Sequence, residues 1–360
     1  MSPHGRCAMW DTTHGKCLIH QANDLHHAQL QPGEHLDDLT GAFVSQIQQR
    51  IVWSRMAKNH SVANESLQLS LFDWCAEILI PAASVAVFGD ALLQVDERII
   101  EDFQDFDRDS WMLTYRYPPF LARKMYAGKD GNTASFTRYF QLPSDDRADA
   151  TNANAFKIAF WLLSYLLHNP THLEAIRQET LPSILISTVD GSKKKSPDMA
   201  RLLDQSPLLT AAWQETLRLT SGASSARTVL SPTMLRSRCL QPGSKLLMPY
   251  RQLHFDDAAF GPQPVTSFHP ERFLDEGVKR DNASAFKPFG GGVTYCSGRF
   301  IAKREVFAFV ALVLAEYEIS LDGDGAEQMM PRLDESTPTL GVISPVRGDG
   351  TRVVVRPRKH

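Results

Sequence analysis

The sequence predicts a mainly α-helical protein with small β regions gathered in its carboxyl-terminal third, and three features of the 360 residues lead there. Apolar residues recur at helical spacing through the first two-thirds. The texture changes at Thr228 to short β-prone pieces broken by proline and glycine. A long irregular stretch, His254 to Val293, then ends in an apolar helix from Gly298 to about Glu316. At 43% apolar the chain can bury a large core, as one domain or two.

The periodicity predicts helices over Leu36 to Met56, Leu69 to Phe88 with Pro81 as a kink, Asp96 to Leu113, Ala148 to His168, His172 to Glu179 and Pro207 to Leu219. Ser206 before Pro207 is a favourable start, because a hydroxyl can satisfy an orphan amide and proline at the first helical position loses nothing. Along Ala148 to His168, at about 100° per residue, Lys157, Ser164 and His168 fall on one stripe while Thr151, Ala155, Ala159, Leu162 and Leu166 lie opposite. That helix should be buried except along one polar seam. Gly191 to Pro197, with Lys193, Lys194 and Lys195, reads as a solvated loop joining two helices. Lys245 to Pro249 and Thr351 to Val355 read as strands, the latter the last of the chain. A structureless segment as long as His254 to Val293 is more often functional than idle.

Composition removes several classes of function. A net charge of -3 and a pI near 6.5 supply no basic field for nucleic acid or an anionic membrane. The five cysteines, Cys7, Cys17, Cys75, Cys239 and Cys296, are odd in number, irregularly spaced and without a C-x-x-C pair, which argues against a disulfide framework or zinc ribbon and for a reducing, cytosol-facing environment. The first twenty residues are polar rather than a signal peptide or anchor, and the longest apolar runs fall short of the ~20 residues of a spanning helix. Pro170 between His168 and His172 breaks the helical pairing a zinc site would use, and neither H-E-x-x-H nor G-x-S-x-G occurs.

The chemistry concentrates at Phe289-Gly290-Gly291-Gly292-Val293-Thr294-Tyr295-Cys296-Ser297-Gly298, with phenylalanine, glycine, cysteine and glycine at offsets 0, 3, 7 and 9 and a helix following at once. Glycines permit backbone turns and close approach to a flat ring. A thiolate at a helix amino terminus is stabilised by orphan amides and the helix dipole. The bland alternative makes Cys296 a small buried hydrophobe and Gly290 to Gly292 a turn or phosphate cradle. A dinucleotide loop is excluded, because its third glycine would fall at Tyr295.

This segment resembles the cysteine-ligand loop of the cytochrome P450 family, with Ala302 at the alanine position of that signature. Two further matches follow the family's order: Glu215-Thr216-Leu217-Arg218 as E-x-x-R on one helix face, and Phe268-His269-Pro270-Glu271-Arg272-Phe273 as its F-x-P-E-R-F segment. The resemblance implies that Glu215, Arg218 and Arg272 form a buried charged triad beneath the haem, which requires full pairing. It implies Cys296 as axial ligand of the haem iron, with Phe289, Gly290, Gly292, Gly298 and Arg227 holding the haem. Thr294 replaces the usual basic residue two before the cysteine, leaving Arg227 as the better partner for a haem carboxylate.

The helix from Ala148 resembles the family's long distal helix. The usual acid and threonine of that helix are replaced by Asn154 and Ala155, so proton delivery would fall to water, substrate, Asn154 as a bridge, or Thr151 one turn earlier. The family's amino-terminal anchor, first sheet strands and W-x-x-x-R haem contact are not found; Trp10 is followed four later by His14. The expectation is therefore an unassigned segment 1–24 and an amino-terminally truncated P450 domain of the eukaryotic microsomal type, 25–360, with its haem-binding region at 286–302.

What the resemblance implies is a haem-thiolate monooxygenase carrying haem b, using O2 and drawing electrons from NADPH through a cytochrome P450 reductase. The full-length family type sits at the endoplasmic reticulum membrane. Its substrate would be a lipophilic small molecule of terpenoid, sterol-like or polyketide type from secondary metabolism. Lys287, Arg299, Lys303 and Arg304 cluster around the cysteine and suit a docking reductase, or are ordinary surface charge. Two rivals stand beside this reading: an isomerase or dehydratase needing no external electrons, suggested by Asn154 and Ala155, and a non-catalytic fragment.

Overall fold

A computed structural model of the chain describes residue 24 and residues 29–60, 62–142, 154–189, 192–275, 284–292, 295–323, 328–339 and 341–358. Among them the longer helices are α1 (Glu34–Arg50), α2 (Leu71–Phe88), α3 (Ile99–Asp109), α4 (Arg123–Phe140), α5 (Ala155–Leu167), α6 (Pro170–Thr180), α7 (Pro207–Thr220) and α8 (Arg299–Glu316). The strands are β1 (Val62–Ala63), β2 (Ser66–Ser70), β3 (Ile184–Val189), β4 (Ser192–Pro197), β5 (Ser224–Thr228), β6 (Thr233–Leu235), β7 (Arg238–Leu240), β8 (Lys245–Pro249), β9 (Tyr317–Leu321) and β10 (Arg352–Pro357).

One apolar core joins α1, α2, α5, α7 and α8. Helices apolar on every side belong in such a place, and α5 and α8 are of that kind. Every residue from Val306 to Ala315 is buried, as is every residue of α5 except Tyr165. Helix α2 is long and apolar enough by composition to cross a membrane, yet it packs here against α1 and α5. The β regions lie around this bundle as a four-stranded antiparallel sheet in the order β1-β2-β10-β9 and the two-stranded pairs β3–β4, β5–β8 and β6–β7. In β10, Val353 and Val355 are fully buried and Val355 pairs with Ile319 and Leu67. The last strand thereby ties β2 to the end of α8.

Several sequence expectations need correction. Where the sequence suggested a solvated loop at Gly191 to Pro197, Ser192–Pro197 pairs antiparallel with Ile184–Val189, with Leu185 opposite Ser196 and Ile186 opposite Lys195. Lys195 is drawn inward because its ammonium donates to the Ala315 carbonyl (2.7 Å) beside Glu316 (3.4 Å), where the end of α8 presents orphan carbonyls. The expected helix at Leu69 begins two residues later, since Ser66–Ser70 pairs with β10 before Ser70 caps Asp73. Leu36 to Met56 is two helices, interrupted after Arg50.

Ser206 does not cap α7. The Glu179 carboxylate accepts the Leu208 and Leu209 amides (2.8 and 2.9 Å), and an anion from a neighbouring helix outcompetes a hydroxyl for those donors. The polar seam on α5 is covered rather than solvated. Lys157 pairs with Asp107 of α3 (2.6 Å), Ser164 is fully buried, and His168 reaches the Ser164 and Gln328 carbonyls. Helix α4 had no counterpart in the sequence reading, because Gly128, Gly131 and Asn132 are weak helix formers. Tertiary packing explains them: a Cβ at Gly128 would lie 2.5 Å from the Asp102 carbonyl, so the glycines let α3 press against α4.

The Lys157–Asp107 pair gives a direct test. Asp107→Ala strands an ammonium that is only 7% exposed and should cost roughly 3 kcal/mol of unfolding free energy in urea titrations. The double substitution Asp107→Leu with Lys157→Met should recover most of that loss.

Candidate functional site

Irregular backbone needs partners for its carbonyls as much as a helix does, and two guanidinium groups provide them for residues 254–273. Glu215 and Arg218, one turn apart on α7, are both fully buried and joined through two hydrogen bonds, Arg218 Nε to Oε2 (2.7 Å) and Nη2 to Oε1 (2.8 Å). Arg272 donates from Nε to Glu215 Oε1 (3.1 Å), and the His269 amide adds a further donor at 3.0 Å. Remaining guanidinium hydrogens go to carbonyls of the irregular segment: Arg218 to His254 (2.8 Å) and Val265 (2.7 Å), Arg272 to Phe260 and Pro264 (3.0 Å). The structure thus brings Glu215, Arg218 and Arg272 together as one paired cluster.

The Cys296 loop starts from this cluster. The Lys287 amide donates to Nε2 of buried His254 (3.0 Å), and Ser221 Oγ, just past α7, donates to the Pro288 carbonyl (3.0 Å). The Phe289 ring packs on Trp213 of α7, and the Cys296 amide returns to the Phe289 carbonyl (3.1 Å). Gly290 and Gly292 have φ of +77° and +66°, a left-handed backbone that glycine adopts without strain. No atom lies within 4 Å of where a side chain at Gly292 would begin, and Gly291 would meet only the Tyr250 hydroxyl at 3.8 Å. Val293 and Thr294 fall outside the described residues, as does Thr151.

Cys296 is exposed and borders a cleft of about 380 Å³, shared with Asn154 just before α5, Ile158 of α5, Leu217 of α7, Ala223 and Ser224 to Arg227 of β5, Pro288 to Gly290, Gly298, Ala302, Gly341 and Val342. The alternative of a cysteine buried as a small hydrophobe is met by Cys75, whose thiol burial pushes well up, and not by Cys296. Of the residues read from the sequence, Asn154, Arg227, Cys296, Phe289, Gly290 and Gly298 reach one cleft; Ala155 is buried in the first turn of α5 and Gly292 stands outside its lining.

These residues suit an iron porphyrin. A soft sulfur donor stands two residues before the cap of an eighteen-residue helix, the adjoining loop carries glycines rather than side chains, and a guanidinium lies on the same cleft. Among the described residues no group of three His, Cys, Asp or Glu could hold a bare metal ion.

Similarity to known proteins agrees with this geometry. Residues 154–343 match the family model described as Cytochrome P450. The chain belongs to the cytochrome P450 family. It is 27% identical over 293 residues to the cytochrome P450 monooxygenase poxD of Penicillium oxalicum, covering 71% of this chain and 58% of that protein. It is 31% identical over 217 residues to the cholesterol 7-alpha-monooxygenase of Cricetulus griseus, covering 55% and 41%. The chain therefore spans less than two thirds of the length of these relatives. The retinoic acid-bound cyanobacterial CYP120A1 superposes with a TM-score of 0.69 at 18% identity, over 95% of this chain and 79% of its own, which shows a shared fold.

The α5 edge of the cleft is shaped around Asn154. Asn154 stands at the N-cap position of α5 without a side-chain hydrogen bond to that helix, and its side-chain amide lies 3.0 Å from where a Cβ at Gly341 would be, so the glycine makes room for it. The segment bearing Gly341 is held by the Gly222 amide donating to Gly341 O (2.8 Å) and Trp161 Nε1 donating to Ile343 O (2.7 Å).

Sequence reasoning missed His254, Ser221 and Gly341. A histidine inside an irregular apolar stretch was the one available signal for the first. His254 is held neutral, its pKa pushed down to about 4 by burial and by Arg218 and Arg251. The basic cluster is also thinner than its residue count suggests. Arg304 pairs with Asp37, Lys303 lies over the Trp213 and Phe307 rings with burial lowering its pKa, and Arg299 sits between the Tyr295 and Phe300 rings while donating to the Cys296 carbonyl (2.9 Å).

Removing Arg272 leaves Glu215 half-paired inside the protein. Arg272→Met should lower unfolding free energy by roughly 4 kcal/mol, whereas Arg227→Met, on a half-exposed strand, should shift it by less than about 1 kcal/mol; urea denaturation of both variants separates the structural arginine from the cleft arginine.

Proposed function

We propose that this chain is the catalytic part of a haem-thiolate monooxygenase that inserts one oxygen atom from O2 into a lipophilic small molecule. The observation that carries the reading is the Cys296 thiol opening on the cleft that Asn154 and Ile158 border from α5. Cys296 would hold haem b by its sulfur, Arg227 would take a porphyrin carboxylate, and Phe289, Gly290 and Gly298 would shape the bed, with Gly292 turning the loop beside it, within a haem-binding region at 286–302. When bound, the group supplies dioxygen activation and one-electron chemistry, with the thiolate favouring O–O cleavage.

The chain's own residues position and protonate. Ile158, Leu217 and Val342 give the cleft apolar walls, which suit a terpenoid, sterol-like or polyketide substrate, and cholesterol 7-alpha-monooxygenase is a relative whose name states a sterol. Asn154 offers an amide donor at Nδ2 and an acceptor at Oδ1, enough to hold a water or a substrate hydroxyl but not to release a proton as an acid does. Ala155 contributes no hydroxyl, so proton delivery would fall to water, substrate, Asn154 as a hydrogen-bond bridge, or Thr151. The same substitution favours a second reading, rearrangement or dehydration of an already oxygenated substrate without external electrons. Product formed without NADPH would select it.

Reduction under carbon monoxide tests the main reading. The wild type, purified with haem, should show the red-shifted Soret band of thiolate ligation, and Cys296→Ala should lose it; persistence of the band in the variant refutes the assignment. Electrons would come from an NADPH-dependent cytochrome P450 reductase docking on the Cys296 side near Arg299 and Lys287. With three of the four basic residues engaged by neighbouring groups of the chain, raising salt from 50 to 500 mM should slow reductase-driven reduction only severalfold while leaving substrate binding unchanged; a loss of a hundredfold or more would restore the full basic patch.

A further inference from the structure

We propose that His254 is a positioning residue for the haem-ligand loop, acting as the hydrogen-bond acceptor that sets where the chain leaves the buried charge cluster for Cys296. The inference rests on Cys296 being the haem ligand and adds the residue that holds its loop in register.

The geometry places His254 between two otherwise separate systems. Its carbonyl accepts Arg218 Nη1 (2.8 Å), and its imidazole Nε2 accepts the Lys287 amide (3.0 Å). Two residues later the Phe289 carbonyl accepts the Cys296 amide (3.1 Å), so the Lys287 anchor is passed to the sulfur-bearing residue through three peptide units and one hydrogen bond. The ring is fully buried, 5.8 Å from Phe286, and its Nδ1 has no partner among the described residues. An imidazole accepts at Nε2 only as the free base. A proton there would turn the acceptor into a donor facing an N–H, and the loop would lose its anchor.

The charged groups facing the ring make that proton costly. Arg218 from α7 and Arg251 from the same turn both repel it, the Glu215 carboxylate is already taken by Arg218 and Arg272, and the loop from 284 contributes Phe286 and the Lys287 amide. In the next turn Asp256 caps Ala258. Burial and the two arginines lower the folded-state pKa to about 4. With the folded value depressed below the ordinary 6.5, the anchored arrangement is fully stable above pH 6.5 and weakens as pH falls toward 4.

Hydrogen exchange at the Lys287 amide reads this directly. The full chain, haem-free and after addition of haemin, would be followed by mass spectrometry at pH 7.5 and 5.5 as wild type, His254→Gln and His254→Phe, with intrinsic exchange corrected. Glutamine places an acceptor at the Nε2 position and does not titrate. The wild-type amide should open about tenfold more readily at pH 5.5, His254→Gln should be flat between the two pH values, and His254→Phe should be open at both. Haemin release at pH 5.5 should be several-fold slower in His254→Gln than in the wild type. A flat wild type, an equal slope in His254→Gln, or equal haemin release in those two proteins overturns the proposal. The carbon monoxide spectrum of the wild type fails separately if Cys296 is not the ligand.

Discussion

A carboxylate with no exposure to water has to find its compensation inside the protein, and Glu215 finds it in two arginines and one backbone amide. Because each guanidinium has more donors than Glu215 can absorb, the surplus is spent on carbonyls between His254 and Ser267. The segment's own backbone bonds are confined to short helical turns such as Asp257–Phe260 and Pro270–Phe273. Between those turns the same two side chains that neutralise Glu215 hold it, and the Phe255 and Phe260 rings beneath Arg218 exclude the water that would compete. Removing one member of this cluster frees both a charge and a stretch of backbone.

What the cluster organises is the approach to Cys296. Helix α7 supplies Glu215 and Arg218 on one face, Trp213 and Leu217 toward the Cys loop and cleft, and Ser221 at its end, so one rigid element is common to the charge cluster and the loop. Helix α5 approaches from the other side with Asn154 and Ile158. Both helices are buried nearly all round in the same core, which fixes the width of the cleft between them. Asn154 fits because Gly341, across the cleft, has no side chain. The chemistry is thus held by packed helices, while the two glycines of positive φ leave the ligand loop free of side chains.

Much of this was readable in the residues. Spacing from Phe289 through Gly298 with a helix behind it pointed to a thiolate site, and E-x-x-R pointed to a local ion pair because positions three apart share a helix face; that Arg272 of the distant P-E-R-F segment joins that pair came from the family resemblance. Features that depend on a partner far along the chain were not readable. Lysines 193–195 look solvated until the end of α8 is brought beneath Lys195. Ser206 looks like a cap until Glu179 arrives with a full charge. Gly128 and Gly131 look like helix breakers until α3 is pressed against them.

By itself the sequence determined the helical class and the family and pointed to Cys296 as the candidate sulfur, since periodicity, residue type and short-range spacing are properties of the chain alone. Only the tertiary structure decided that Lys157 is buried and paired, that Arg299, Lys303 and Arg304 near Cys296 are engaged by neighbouring groups of the chain, and that His254 and Ser221 carry the loop. Those outcomes depend on which distant groups share a low-dielectric interior, where a charge or a lone pair must be matched by whatever the fold places beside it.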